Sequence, residues 1–428
     1  MAPLSQALRQ ATPLRVVSGQ GTTVTTDTGE VYLDATSGIG VTSTGHCHPR
    51  VVAAAQQQTG KLIHGQYGVY LHDRLPELMD SLAGVLPPHL SDFFFANSGA
   101  EAVESAVRLA RNATGRQNVI VFQGSFHGRT IGASALTTSG ARFRAAGSGP
   151  LPSGVVVSPF PSAFRYGWSE QEANRFALQE LHHVLATLTS PNDVAAILVE
   201  PVLGEAGYLP GNAEFFGALR EIADQHGMLL IFDEVQAGVG RTGRFWAHEH
   251  FDVEPDILVF AKGIASGFPI SGIAARAEIM AKALPGSQGG TYSANVVACA
   301  AAIETIAVIR DEDLVGNSAR LGGKLHDGLV ELSREFPVMG DVRGLGLMQA
   351  VELVGPNREP VPELTSKVLA AALDRKVIML ACGPYGSIVR MIPALVISEA
   401  EVDRLLEVWR EVMVELAAPP SGEAGRRP

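Results

Sequence analysis

The stretches LLIFDEVQAGVGRTG (Leu229–Gly243) and DILVFAKGIASG (Asp256–Gly267) each begin as a short apolar run that halts at a charged group. The first run stops at Asp233 and the second one alanine short of Lys262. Such runs, bounded by polar residues, read as strands buried on both faces of a parallel sheet. In open α/β sheets ligands bind off the carboxyl ends of the strands. An acid and an amine delivered to that edge suit a pyridoxal 5'-phosphate site, with the lysine in covalent linkage and the carboxylate on the pyridinium nitrogen. Equally open on these two residues alone is that both are ordinary structural groups at strand ends.

Charge logic sharpens the first reading. A free lysine amine titrates near ~10.4 and is a poor nucleophile at neutral pH. Burial beside apolar or cationic groups lowers that value and activates the amine. A buried carboxylate needs a hydrogen-bonded or charged partner, and a pyridinium N–H is one.

Outward from these runs the pattern repeats. VIVF (Val119–Phe122), AAILVE (Ala195–Glu200), MLLIF (Met228–Phe232) and ILVF (Ile257–Phe260) are strand candidates. NAEFFGALREIADQHG (Asn212–Gly227) is a helix with Phe215, Leu219, Ile222 and Ala223 on one face and Gly227 as its stop. Alternating strands and helices imply an α/β fold, a mostly parallel sheet with helices on both faces. After about residue 300 a helix (Ala300–Ile309) leads into mixed α+β sequence, with strands expected near Gly346–Leu353 and Ile388–Met391. The first fifty residues read as short strands and turns. The expected division is 1–50 and 303–416 as the two parts of one smaller α+β domain, 51–302 as the large cofactor-binding domain, and 417–428 as a disordered Pro/Gly-rich tail.

Composition excludes several classes. The chain has 428 residues, 46% of them apolar and 18% charged, with a net charge of −11. A large packed core is expected, and no basic stripe offers itself to nucleic acid. No apolar run is long enough for a membrane span, and MAPLSQALRQATPLR lacks the apolar core of a secretory signal. Cys47, Cys299 and Cys382 are scattered, which suits a reducing, cytoplasmic setting without disulfides. His46-Cys47-His48 is poor chelate geometry with no second ligand pair, so no metal is expected. Gly344-Leu345-Gly346 lacks the remaining glycine and helix of a nicotinamide fingerprint.

FFFANSGAEAVESAVRLARNATG (Phe93–Gly115) holds a second signal. Ser98 with Glu101 forms a capping box opening a helix, and Gly99 in the first turn lets an anion approach free backbone N–H groups. The pattern reads as a phosphate cradle or as an ordinary capped helix. In GSFHGRT (Gly124–Thr130), Phe126 suits ring stacking or core packing. Arg129 suits a carboxylate fork or a surface ion pair.

Taken together, ANSGAEAVESAVRLAR, SFHGRT, VEPVLGEAGY, IFDEVQAGVGRTGRFWAHEHF, PDILVFAKGIASGFPISG and GGTYSANVVACAAA resemble the class III, pyridoxal-phosphate-dependent aminotransferases of fold type I. TSGIGVTSTGHCHP and CGPYGSIVRMIPAL extend the likeness over nearly the whole chain. The resemblance implies that Lys262 carries the cofactor, Asp233 holds its ring nitrogen and Gln236 bonds the phenolic oxygen. It also implies that Phe126 and Val235 pack the two ring faces, while Ser98, Gly99 and Ala100 form the phosphate end. Thr291 would reach that phosphate from a neighbouring subunit, which makes a homodimer the working unit.

Within the family the sequence is most similar to 4-aminobutyrate aminotransferases, with 2-oxoglutarate as acceptor. On that likeness Arg129 binds the distal carboxylate and Arg390 the second carboxylate of glutamate. Glu205 pairs with Arg390 when that carboxylate is absent, and Ile39 supplies an apolar wall. The alternatives are acetylornithine, ornithine, 5-aminovalerate or lysine donors, or a racemase or epimerase on the same fold. For Glu205 and Arg390 the alternative is a fixed structural ion pair.

Overall fold

The computed structural model describes residues 5, 7, 8, 10–144 and 149–417. Of the tail expected to be disordered at 417–428, Ala417 is the last residue of helix Glu399–Ala417 and 418–428 lie outside the described residues.

A seven-stranded sheet organises the chain. Its strand order is Asp92–Ala96, Ser271–Ala275, Ile257–Phe260, Leu229–Asp233, Val194–Val199, Asn118–Phe122 and Val155–Ser158. Neighbours pair in parallel except around Ser271–Ala275, which runs antiparallel to both Ile257–Phe260 and Asp92–Ala96. The four apolar runs singled out in the sequence form four consecutive interior strands of this sheet. Successive residues send side chains to opposite faces. Ile120, Phe122, Ile197, Leu230 and Phe232 pack with Phe215 and Leu219 of helix Ala213–His226. Val119, Val121, Leu198, Ile231, Val259 and Ile273 pack with Val103 and Val107 of helix Gly99–Thr114. Burial of both faces is why these strands read as unbroken apolar runs rather than alternating ones.

Three strands of this sheet were not singled out in the sequence. Ser271–Ala275 is SGIAA, small because space is short: a Cβ on Gly272 would lie 2.7 Å from the Phe260 ring and 2.7 Å from the Phe94 carbonyl oxygen. Val155–Ser158 is a four-residue, half-buried edge strand. Asp92–Ala96 merges in sequence with the helix start that follows it.

Residues from both chain ends share a second sheet. Val16–Gln20, Thr23–Thr26 and Val31–Asp34 lie in order, and Val377–Ile378 adds in parallel beside Leu33 and Asp34. A third sheet has the order Met339–Leu345, Met348–Leu353, Ile388–Met391, Leu380–Cys382. Helix Val296–Asp311 is longer than its sequence signal and buried almost all round. Helices Leu314–Glu335, Pro362–Asp374 and Glu399–Ala417 follow. Among the described residues no helix is long and apolar enough to cross a membrane.

Candidate active site

The carboxyl edge of the seven-stranded sheet gathers one cavity of about 360 Å³. Each adjoining strand end contributes. Ser98, Gly99 and Ala100 follow the strand ending at Ala96, Phe126 and His127 follow Phe122, and Glu200 follows Val199. Asp233 ends its own strand, with Val235 and Gln236 just beyond, and Lys262 lies two residues past Phe260. Gly267–Ile270 enter the one reversed strand from the same edge.

Lys262 is half-buried in the cavity wall, and loss of solvation lowers its amine to about 8. Its backbone is left-handed at φ 45°, a conformation unfavourable to a side chain and therefore held by its surroundings. Asp233 is buried. Its Oδ1 accepts the Val235 N–H at 3.1 Å and its Oδ2 faces Nδ1 of His127 at 2.7 Å. His127 is itself sealed, and its Nε2 has no partner among the described residues.

The helix Gly99–Thr114 opens on the cavity with the expected capping box. Ser98 Oγ accepts from the Glu101 N–H at 3.3 Å, and Glu101 Oε2 accepts the Ser98 and Asn97 N–H groups. A sixteen-residue helix beginning there places a partial positive charge and free amides at the cavity. Gly99 is required by closeness, since a Cβ would stand 2.9 Å from Val235 Cγ1. Gln236 Oε1 is buried at the wall without a partner among the described residues.

Pyridoxal phosphate fits these residues. An open helix end suits the phosphate, and Phe126 and Val235 are available as apolar surfaces for the ring. A buried acid, an unpaired amide oxygen and a low-pKa amine suit its polar atoms. Gly99→Ala is expected to weaken cofactor affinity about tenfold by crowding Val235, on the scale of overpacking. An absorbance titration reads this, and unchanged affinity would contradict the cradle.

The substrate candidates separate into two groups. Glu205 lines the cavity, and Arg390 Nη1 donates to Glu205 Oε1 at 2.5 Å. Both are largely buried, and Arg390 Nε has no partner among the described residues. Arg129, Ile39 and Thr291 do not line the cavity. The Arg129 guanidinium lies 4.7 Å from the Phe143 ring centroid and 5.8 Å from that of Phe126. Ile39 sits on an exposed turn with φ 68°, two residues before Val41, which does line the cavity. Thr291 is exposed beside the 67% exposed Tyr292. His46 and His48 diverge, to Asp34 at 2.9 Å and to Glu312 at 3.1 Å.

Among the wall residues that escaped the sequence reading are His127 and Glu200. His127 was hidden between Phe126 and Arg129. Glu200 ends a buried strand as Asp233 does, and that position was the signal that could have found it. Its carboxylate accepts the Phe126 N–H at 2.7 Å and the Gly204 N–H at 2.9 Å. Burial, with the Asp233 charge adding, pushes it up to about 7.

A family model described as aminotransferase class-III matches residues 5–413. The 5-aminovalerate aminotransferase DavT of Pseudomonas aeruginosa is 39% identical over 97% of both chains. The 4-aminobutyrate aminotransferase GabT of Escherichia coli is 41% identical over 89% of this chain and 88% of the relative. An amine transaminase from an uncultivated Pseudomonas species, solved with pyridoxal phosphate bound, superposes with a TM-score of 0.91 at 27% identity. It is matched over 97% of this chain and 99% of that one. With the family match running from one end of the fold to the other, the chain belongs to the class-III aminotransferases, pyridoxal-phosphate-dependent enzymes that pass an amino group from a small amine to an oxo acid.

Proposed function

We propose that the enzyme moves the amino group of an ω-amino acid, 4-aminobutyrate first, to 2-oxoglutarate, giving succinate semialdehyde and glutamate. The observation that carries this reading is the Glu205–Arg390 pair at the cavity margin. An unpaired buried arginine costs roughly several kcal/mol. A donor with one carboxylate leaves Arg390 to Glu205, whereas 2-oxoglutarate brings a second carboxylate that replaces Glu205. A site built this way takes both ligands in turn.

Bound in the cavity, pyridoxal phosphate supplies the electrophilic carbon and the electron sink. Lys262 would anchor it, and the freed amine would serve as the base that takes the proton from the amine-bearing carbon. Asp233 would face the ring nitrogen, and His127, 2.7 Å from its Oδ2, would fix the orientation of that carboxyl group. Gln236 would meet the phenolic oxygen, Phe126 and Val235 would pack against the ring, and Ser98, Gly99 and Ala100 would hold the phosphate. Arg129 turns from Phe143 to take the distal carboxylate, and Ile39 walls the carbon chain.

Thr291 completes the phosphate site of a second copy, so the working unit is a homodimer. Exposed Leu62, Ile63, Val69, Leu71 and Tyr292 support such an interface. The division into 51–302 as the cofactor unit and 1–50 with 303–416 as the smaller unit belongs to the same proposal, helix Val296–Asp311 bridging the two.

A second donor, 5-aminovalerate, is favoured by the 39% identity to DavT over nearly the full length. A panel of ω-amino acids with 2-oxoglutarate, followed by glutamate formation, tests both. Highest kcat/KM with 4-aminobutyrate is the expected result, and no glutamate from any ω-amine would end the proposal. The state of Lys262 adds a pH signature. Its neutral, nucleophilic fraction grows as pH rises, so capture of pyridoxal phosphate by cofactor-free protein should accelerate with a midpoint at about 8. A midpoint near the ordinary lysine value of ~10.4 would contradict it.

A further inference from the structure

Glu205 stands in a loop with little structure of its own. Val202 pairs with Pro210 and Leu203 with Leu209, closing a hairpin with two residues in each strand. A hairpin that short is not stable by itself, so the position of Glu205 is set by groups outside it. Glu200 accepts the Gly204 N–H at 2.9 Å, and the Gly383 N–H donates to the Glu205 carbonyl at 2.9 Å. The firmest grip comes from Arg343, on strand Met339–Leu345. Its Nε donates to the Gly207 carbonyl at 2.7 Å and its Nη2 to the Ala206 carbonyl at 3.3 Å. Its Nη1 is held by Asp341 at 2.5 Å and Glu352 at 2.7 Å, which orients the guanidinium from its own sheet. Gly207, at φ 91°, makes the approach possible: a Cβ there would lie 2.8 Å from Arg343 Nη2.

We infer that Arg343 is a positioning residue, gripping the Ala206 and Gly207 carbonyls so that Glu205 exchanges Arg390 for solvent by side-chain rotation on a fixed backbone. The inference rests on the reading of Glu205 and Arg390 as an exchangeable pair. A fixed loop keeps the Glu205 carboxylate at high effective concentration beside Arg390. That is the competitor an incoming second carboxylate must displace. Loosening the loop therefore favours two-carboxylate ligands and uncovers Arg390 when a one-carboxylate ligand binds.

Calorimetry on the holoenzyme with glutarate and with pentanoate reads this without turnover. In Arg343→Met the ratio of the pentanoate Kd to the glutarate Kd should rise about tenfold, the scale of losing charge-assisted hydrogen bonds. Arg343→Lys, which keeps the charge, should show a smaller rise, and it decides alone if the methionine variant does not fold. A general structural role would lower Tm and weaken both ligands alike, and an unchanged ratio in the Arg343 variants overturns the inference. Glu205→Gln separates the two layers. If it raises the ratio while the Arg343 variants do not, only the role of Arg343 is lost. If no variant moves the ratio, the exchange reading falls as well. A rise in the Arg343 variants without one in Glu205→Gln also overturns the inference, because the effect would not pass through Glu205.

Discussion

Lys262→Ala should lower turnover by about 10³-fold or more and abolish the visible absorbance of the lysine-bound cofactor. Two losses combine. Alanine cannot tether pyridoxal phosphate, and it cannot move the proton on which amino exchange depends, a contribution of about 10²–10⁴-fold by itself. The residue is suited to both tasks because its amine is drawn down to about 8 in the cavity wall. The alanine variant should still fold, since the left-handed backbone at φ 45° is no harder for alanine than for lysine. Steady-state kinetics and an absorbance spectrum check the expectation together. Near-normal turnover would remove Lys262 from the chemistry.

Arg390→Ala should divide the reaction. The 2-oxoglutarate half should slow by about a hundredfold, the scale of losing a charge-assisted, two-point contact of roughly 2–3 kcal/mol. The ω-amine half should change by less than about fivefold, because there Arg390 faces only Glu205 and the variant loses no ligand contact. Single-turnover spectra with the amine alone, and with 2-oxoglutarate alone on the aminated enzyme, separate the halves. Equal losses would make Glu205–Arg390 a fixed ion pair, the alternative left open by the sequence.

Legibility followed burial. LLIF and ILVF announced central strands because both their faces are covered, so no polar residue interrupts them. Asp233 and Lys262 could be placed at the ligand edge on that ground alone. SGIAA could not be read as a strand, because its small residues answer to Phe260 and Phe94, which only the folded sheet brings near. Ser98 to Ala100 were readable because a capping box is local, four consecutive residues forming it. Arg343 was invisible for the opposite reason: its contacts at Gly207 lie 136 positions away. Ile39 and Thr291 were named from resemblance and Arg129 first as one of two readings of its chemistry, and none of them lines the cavity of the single chain. The roles proposed for them would depend on ligand or partner.

The linkage of Lys262 to pyridoxal phosphate is most directly tested by reducing the holoenzyme with borohydride and mapping its peptides by mass spectrometry. The expected result is one modified site, with the reduced cofactor's mass on the peptide containing Lys262. The cofactor's mass on a different lysine, or on none, would contradict it.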